Sequence, residues 1–529
     1  MLSADEIFFR YIHSQTISSM IVKTYGSALQ SVSAISIVIE VNVSPKGTRL
    51  SIVGLPGSSV KESEDRIESA IHNIGYFFPR FRTIVNMAPA NIRKEGAAYD
   101  LPIAIGLLAA SEQIISDYLN HYTLMGELSL DGTLLPIKGA LPMTIQAKKD
   151  GFKGIILPIQ NAKEAAMVEG INVYGAFHLK EVIDFYNNPT TLSPTNSDIS
   201  NIFSQQTAYD LDFNEVKGQY SVKRGLEIAA AGGHNILLIG PPGAGKTMLA
   251  KRFPTILPPM TLPEALETTK IYSVAGKLDG DLITKRPFRS PHHTISDIAL
   301  VGGGIHPQPG EISLAHNGVL FLDELPEFQR AVLEVMRQPI EERKVTISRA
   351  NYTADFPAAF MLIASSNPCP CGYFNHPERS CSCGPGMVQR YMRKISGPLM
   401  DRIDLHIEVT PVSHHELTGL STSESSNKIR ERVIAARNIQ KQRFIRHKGI
   451  YNNAQMHSSL LKKTAHLDTG CADLLKKAMQ TLHLSARAYD RILKVSRTIA
   501  DLAKSENIQS DHIAEAIHFR SLDRENYWI

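Results

Sequence analysis

The sequence is short of several features that would restrict its class at once. Cysteine is scarce. Five in 529 residues build no disulfide framework, and a reducing cytosol is the expected compartment, hence a cytoplasmic protein. Charge of one sign is also scarce: 56 Lys and Arg face 52 Asp and Glu, a net +4. Any nucleic-acid binding must therefore rest on local patches rather than on overall charge. The longest apolar run, residues 101–110, is too short to cross a bilayer, so no membrane partner is expected. The opening Met-Leu-Ser-Ala-Asp-Glu lacks the basic and apolar regions of a secretory signal. No internal repeat or coiled-coil heptad stands out.

What is present is a phosphate-binding loop. Gly240-Pro241-Pro242-Gly243-Ala244-Gly245-Lys246-Thr247 matches G-x-x-x-x-G-K-[ST] at every fixed position. A short apolar strand pattern, residues 235–239, precedes it, and a helix start from Met248 follows. Glycines let backbone N–H groups curl toward an anion, and the helix start adds a favourable dipole. Lys246 is expected on the β- and γ-phosphates and Thr247 on Mg²⁺, with ATP as the nucleotide. Residues 240–248 form the expected nucleotide site.

Two further strand ends complete the pattern. Gly318-Val319-Leu320-Phe321-Leu322-Asp323-Glu324 reads as a buried strand ending in two carboxylates, where parallel sheets bind ligands. Asp323 is expected to hold Mg²⁺ and Glu324 to polarise the attacking water. Residues 360–367 read as a third buried strand ending in Asn367. The order of loop, acidic pair and Asn resembles the AAA+ ATPases, in which that Asn is a sensor of the γ-phosphate. No Asn-Lys-x-Asp guanine signature occurs, which favours ATP over GTP.

Composition divides the chain. Residues 1–19 read as an N-terminal extension, 20–186 as an α/β domain, and 187–208, rich in Asn, Pro, Thr and Ser, as a linker. Residues 209–410 alternate strand and helix patterns around the phosphate loop, as in a parallel-sheet ATPase core. Residues 411–529 are mostly helical and read as a helical linker and lid. The fold class expected is α/β.

Other residues suggest what such a motor acts on. Lys285, Arg286, Arg289, His292 and His293 lie beside the glycine run at 302–304, a composition suited to a loop on a phosphate backbone, or to a solvated basic loop. Residues 344–352, including Arg349, alternate like a hairpin strand. A basic stretch over 428–448 adds weak support for DNA against a solvated helix face. Four of the five cysteines form two C-x-C pairs, Cys369/Cys371 and Cys381/Cys383. Four thiolates can hold a structural Zn²⁺, with His376 able to replace one, while free thiols or another metal stay open.

These residues together resemble the magnesium-chelatase-like AAA+ family of bacterial proteins typified by ComM and YifB. The resemblance rests on residues 286–294, 309–316, 367–372 and 395–406. It implies a hexameric helicase that drives branch migration on single-stranded and branched DNA during natural transformation, with recombination proteins as partners. The residue 285–304 and 344–352 segments then correspond to the helix-2 insert and pre-sensor-1 hairpin. Arg402, in Pro398-Leu399-Met400-Asp401-Arg402, resembles an arginine finger acting on a neighbouring subunit, and Arg487 a sensor at the lid-helix start. Alternatives are a chelatase-type remodeller and a regulatory, protein-binding ATPase. Residues 94–100 and 132–141 resemble the proteolytic domain of Lon. Its serine–lysine chemistry is absent, because the first segment carries Ala97-Ala98 and Leu141 stands at the lysine position, so no peptidase activity is expected.

Overall fold

The computed structural model describes residues 20–520, except residues 45–49, 116, 199–202, 204–208, 281, 305–306, 350–351, 377, 413–422 and 483. The expected extension, residues 1–19, lies outside the described residues, as does part of the expected linker. Two compact units are present. One holds residues up to 204 together with 265–283, and the other holds 205–264 and 284–529. Residues 265–283, expected within the ATPase core, thus cluster with the first unit.

The first unit is built on a seven-stranded sheet in the order Leu50–Val53, Arg82–Ala88, Ser33–Ser44, Met20–Gln30, Tyr122–Leu124, Gly154–Pro158, Asn172–Ala176. Strand Ser33–Ser44 buries Ile37, Ile39, Val41 and Val43 on alternate residues, the period of a pleated strand with one face on the core. Helix Asp100–Ala110 is buried at every residue, as expected of a helix apolar all round. It approaches the sheet through Gly106, whose added Cβ would stand 2.7 Å from Val41 Cγ2. Asp100 starts this helix and takes both arms of the Arg66 guanidinium, at 2.8 and 3.1 Å. Burial pushes its carboxyl up to about 6 even so, outweighing Arg66. Ala97 and Ala98 lie in the 3₁₀ turn Ala97–Tyr99, and Leu141 is buried in helix Ala140–Lys149.

The second unit carries a five-stranded, wholly parallel sheet in the order Phe288–Arg289, Val319–Leu322, Met361–Ser366, Ile236–Ile239, Leu405–Glu408. Ile236–Ile239 and Val319–Leu322 are buried at every residue, the continuous apolar reading of a strand covered on both faces. Register matters more than composition here. Ile239 pairs with Ser366, and Leu322 with Ala364, so Gly240, Asp323 and Asn367 all leave the same edge of the sheet. Two small antiparallel hairpins stand apart from it. Gly302–Gly303 pairs with Gln308–Pro309, and Lys344–Arg349 with Tyr352–Pro357.

The C-terminal part is helical, with helices Ser426–Arg443, Ser458–Thr464, Thr469–Thr481, Ala486–Leu502 and Ser510–His518. Side chains cap their starts: Asp468 accepts from Cys471 N at 2.7 Å and Ser485 from Ala488 N at 3.2 Å. Among the described residues no helix is long and apolar enough to cross a membrane.

Candidate functional site

The three loops leaving the sheet edge meet at Lys246. Gly243 and Gly245 adopt φ of +78° and +88°, a left-handed backbone that glycine reaches at little cost. A Cβ on Gly243 would touch nothing within 4 Å, so conformation rather than crowding favours glycine there. Lys246 is buried, and its ammonium donates to Gly240 O at 2.6 Å, Pro241 O at 3.0 Å and Asn367 Oδ1 at 3.1 Å. Burial lowers its pKa, opposed by Asp323 and Glu324. Three neutral acceptors compensate a buried cation only partly, so a polyanion is the natural occupant of this position.

Thr247 Oγ1 donates to Asp323 Oδ2 at 2.7 Å. Two cis ligands of an octahedral Mg²⁺ at 2.0–2.1 Å would stand about 2.9 Å apart, so this oxygen pair fits an ATP-bound Mg²⁺. Ser365 Oγ donates to the other oxygen of Asp323 and accepts from Glu324 N. Glu324 has φ +54°, an unusual backbone for a non-glycine residue. Ser365 was missed in the sequence. Its signal was only its place two residues before Asn367, on the strand beside the acidic pair.

The basic residues of the expected loop have partners within the chain. Arg286 donates to Pro258 O at 2.7 Å and to Asn317 O at 2.7 Å, and its guanidinium lies 3.3 Å from Glu264. Arg289 forks onto both Glu311 oxygens at 2.6 and 2.7 Å. Both guanidiniums thus have carboxylate partners within the chain. Lys285 lies over the Tyr209 ring at 5.7 Å, and backbone pairing puts Arg349 at the end of its hairpin. The His292 and His293 rings lie 4.1 Å apart, tilted by 34°, and His293 Nδ1 lies 4.0 Å from Glu324 Oε2. One histidine expected on DNA therefore neighbours the acidic pair. In the basic helix Arg432 pairs with Glu227 and Glu424, Arg437 donates to Ala230 O, and Arg443 to Asp501.

Arg402 is only 11% exposed and is paired with Glu341 at 2.7 Å. Arg487 pairs with Asp401 at 3.3 Å, the residue next to Arg402. The expected arginine finger and the expected lid-helix sensor thus lie in one neighbourhood, Arg487 pairing with the residue next to Arg402.

Cys369, Cys371, Cys381 and Cys383 converge, with all four sulfurs within 4.8 Å of one another. Three separations are 3.3, 3.8 and 3.5 Å. A tetrahedral Zn²⁺ with bonds of about 2.3 Å puts its sulfurs about 3.8 Å apart, so the set fits such an ion. His376 is not in the set; its Nδ1 accepts from the amides of Glu378 and Arg379 at 3.1 Å each.

Comparison with known proteins agrees with this architecture. Profiles of magnesium chelatase subunit ChlI match residues 39–161 and 212–417, and that of its C-terminal part matches 423–520. Competence protein ComM of Haemophilus influenzae is 44% identical over 507 residues, covering 94% of this chain and 97% of the relative. The chain belongs to the magnesium-chelatase-like AAA+ family of ComM and YifB. YifB of Salmonella typhimurium, described as uncharacterized, is 44% identical over 503 residues, with 93% and 96% covered. Lon protease 2 of Bacillus subtilis is similar to 27% of this chain at 27% identity, over 26% of its own length. This family member is thus an AAA+-type α/β protein with a Lon-like N-terminal region.

Proposed function

We propose that the chain is an ATP-hydrolysing DNA motor, assembled as a hexameric ring, that promotes branch migration of recombining DNA in the cytoplasm. The observation that carries the reading is the Lys246 ammonium, held between the phosphate loop and Asn367 beside the Thr247–Asp323 oxygen pair. In this reading water attacks the γ-phosphorus, the bond to the β–γ bridging oxygen breaks, and ADP and inorganic phosphate leave. Lys246 holds the phosphates, Glu324 orients the water and accepts its proton, and Asn367 fixes the water or a γ-oxygen. Thr247 and Asp323 hold the metal, which when bound offsets phosphate charge. Arg402 reaches a neighbouring copy's nucleotide once it exchanges Glu341, and Arg487 acts from the same neighbourhood.

Lys285, His292 and Arg349 are the DNA contacts that remain once Arg286 and Arg289 are assigned to the fold. Single-stranded and branched DNA are the substrates, recombination proteins the expected partners, and Zn²⁺ the ion of the cysteine cluster. The Lon-like region is a non-peptidase module, since Ala97, Ala98 and Leu141 supply neither nucleophile nor amine. The test is ATP hydrolysis with and without forked DNA, alongside migration of a synthetic four-way junction. DNA-stimulated turnover should vanish in Lys246→Ala and Glu324→Gln. Turnover and oligomerisation both indifferent to DNA would sink the motor reading. The chelatase profile matches favour a second reading, an ATPase that remodels a metal-inserting partner. Turnover that depends on a partner protein and a porphyrin, rather than on DNA, would select it.

A further inference from the structure

We infer that the metal-held cysteine knuckle braces the phosphate loop, so that Zn²⁺ occupancy sets the affinity of the chain for nucleotide. The inference rests on the reading of residues 240–248 as the nucleotide site.

The four cysteines lie on the segment that follows Asn367. Cys369 is buried and the other three are partly exposed, and all are free thiols rather than disulfides. The first pair frames a tight turn, Gly372 N donating to Cys369 O at 3.0 Å, with Gly372 at φ +86°. That glycine abuts the phosphate loop: a Cβ added to it would stand 2.5 Å from Pro242 Cδ and 2.8 Å from Pro242 Cγ. Behind the contact is a cavity of about 30 Å³ lined by Gly240, Pro241, Pro368, Phe374, Asn375 and His376, about one water in size. The knuckle and the loop therefore share a wall, with Pro368 and the Phe374–His376 turn on one side and Gly240 and Pro241 on the other.

Each feature has a physical consequence. Four thiolates close the coordination sphere, which leaves no open position for catalysis and makes the ion a cross-link. The nine residues between Cys371 and Cys381 contribute few apolar side chains, so the segment has little core of its own to order it. Binding free energy of the ion supplies that order. Without it the turn at Gly372 relaxes, Pro242 loses its buttress, and Asn367 loses its anchor at Cys369. The loop glycines then have more conformations to give up when phosphate binds, and affinity falls.

The experiment uses the full chain. Metal content is read by mass spectrometry after purification in reductant, and thiolate ligation by Co²⁺ substitution. About one Zn²⁺ per chain is expected, and Co²⁺ should give the intense absorption of a tetrahedral thiolate site. Cys371→Ser and Cys381→Ser should weaken both signals, whereas Cys471→Ser, a buried cysteine outside the cluster, should keep them. Stripping the ion with phenanthroline should weaken binding of a fluorescent ATP analogue about tenfold, with recovery on adding Zn²⁺ alone. Absence of metal together with no thiolate absorption in the Co²⁺-treated wild-type chain overturns the site. Stoichiometric metal whose removal leaves nucleotide affinity unchanged overturns the brace. Neither outcome touches the DNA dependence of hydrolysis, so this inference and the motor reading fail separately.

Discussion

At the scale of single residues, the Lys246 ammonium is held by Gly240 O, Pro241 O and Asn367 Oδ1, next to the Thr247–Asp323 pair. Lys246, Thr247, Asp323 and Asn367 were legible because a phosphate-gripping loop admits few residue types at fixed spacing. The partners of Arg286 and Arg289 were not legible, because composition cannot tell a guanidinium offered to solvent from one forked onto Glu311. Lys246→Ala should cut ATP turnover at least about 100-fold, as removal of one preorganised donor does. Retained turnover would show that hydrolysis runs elsewhere. A second prediction concerns Asp404, fully buried beside Arg491 at 3.0 Å and His234 at 3.4 Å. Burial pushes its carboxyl up, but Arg491 and His234 outweigh it and hold it well below the usual range. A lowered folded pKa means stability that is complete above the ordinary carboxylate range, near ~4, and lost as pH falls below it. Asp404→Asn should cost about 3–5 kcal/mol at pH 7, since Arg491 keeps its charge without a partner. The difference from wild type should shrink in acid. Urea unfolding at pH 7 and pH 3.5 reads this, and a pH-independent difference would refute it.

At the scale of elements, close approach of backbones sets what can change. Gly318 opens the strand carrying Asp323, and an added Cβ would lie 2.1 Å from Pro287 O. Gly318→Ala must therefore push the Phe288–Arg289 strand away and shift Asp323. A loss of about 1–3 kcal/mol is expected, with ATPase activity falling as well. Gly397→Ala is the control, since a Cβ there meets nothing within 4 Å, and it should stay within about 0.5 kcal/mol of wild type. Thermal unfolding and turnover of both variants check the contrast, and equal effects would count against it. The alternation over residues 344–352 could be read from its periodicity, but the returning strand Tyr352–Pro357 was not. The short pairing of Gly302–Gly303 with Gln308–Pro309 could not, because two glycines carry no alternation to read.

At the scale of the whole molecule, the proposed ring gives Arg402 its part. Its guanidinium sits on Glu341, 11% exposed, and must exchange that partner to serve another copy's nucleotide. Arg402→Ala should lower turnover by about 10³–10⁵ while each chain still binds ATP. Mixing it with Lys246→Ala chains should restore some hydrolysis, since one copy then supplies the finger and another the intact loop. Fluorescent-nucleotide binding and turnover of the mixture measure both, and no recovery in mixed rings would argue against sites shared between copies. The amino-acid sequence by itself determined the phosphate loop, the acidic pair, the sensor strand, the cysteine pairs and the family, because each depends on residue types at short fixed spacings. Only the tertiary structure decided that strand register carries Gly240, Asp323 and Asn367 to one edge, that Gly372 abuts Pro242, and that Arg286, Arg289, Arg432 and Arg443 find carboxylate partners within the chain. Those outcomes depend on which side chains meet across tens or hundreds of residues, and spacing along the chain does not encode such meetings.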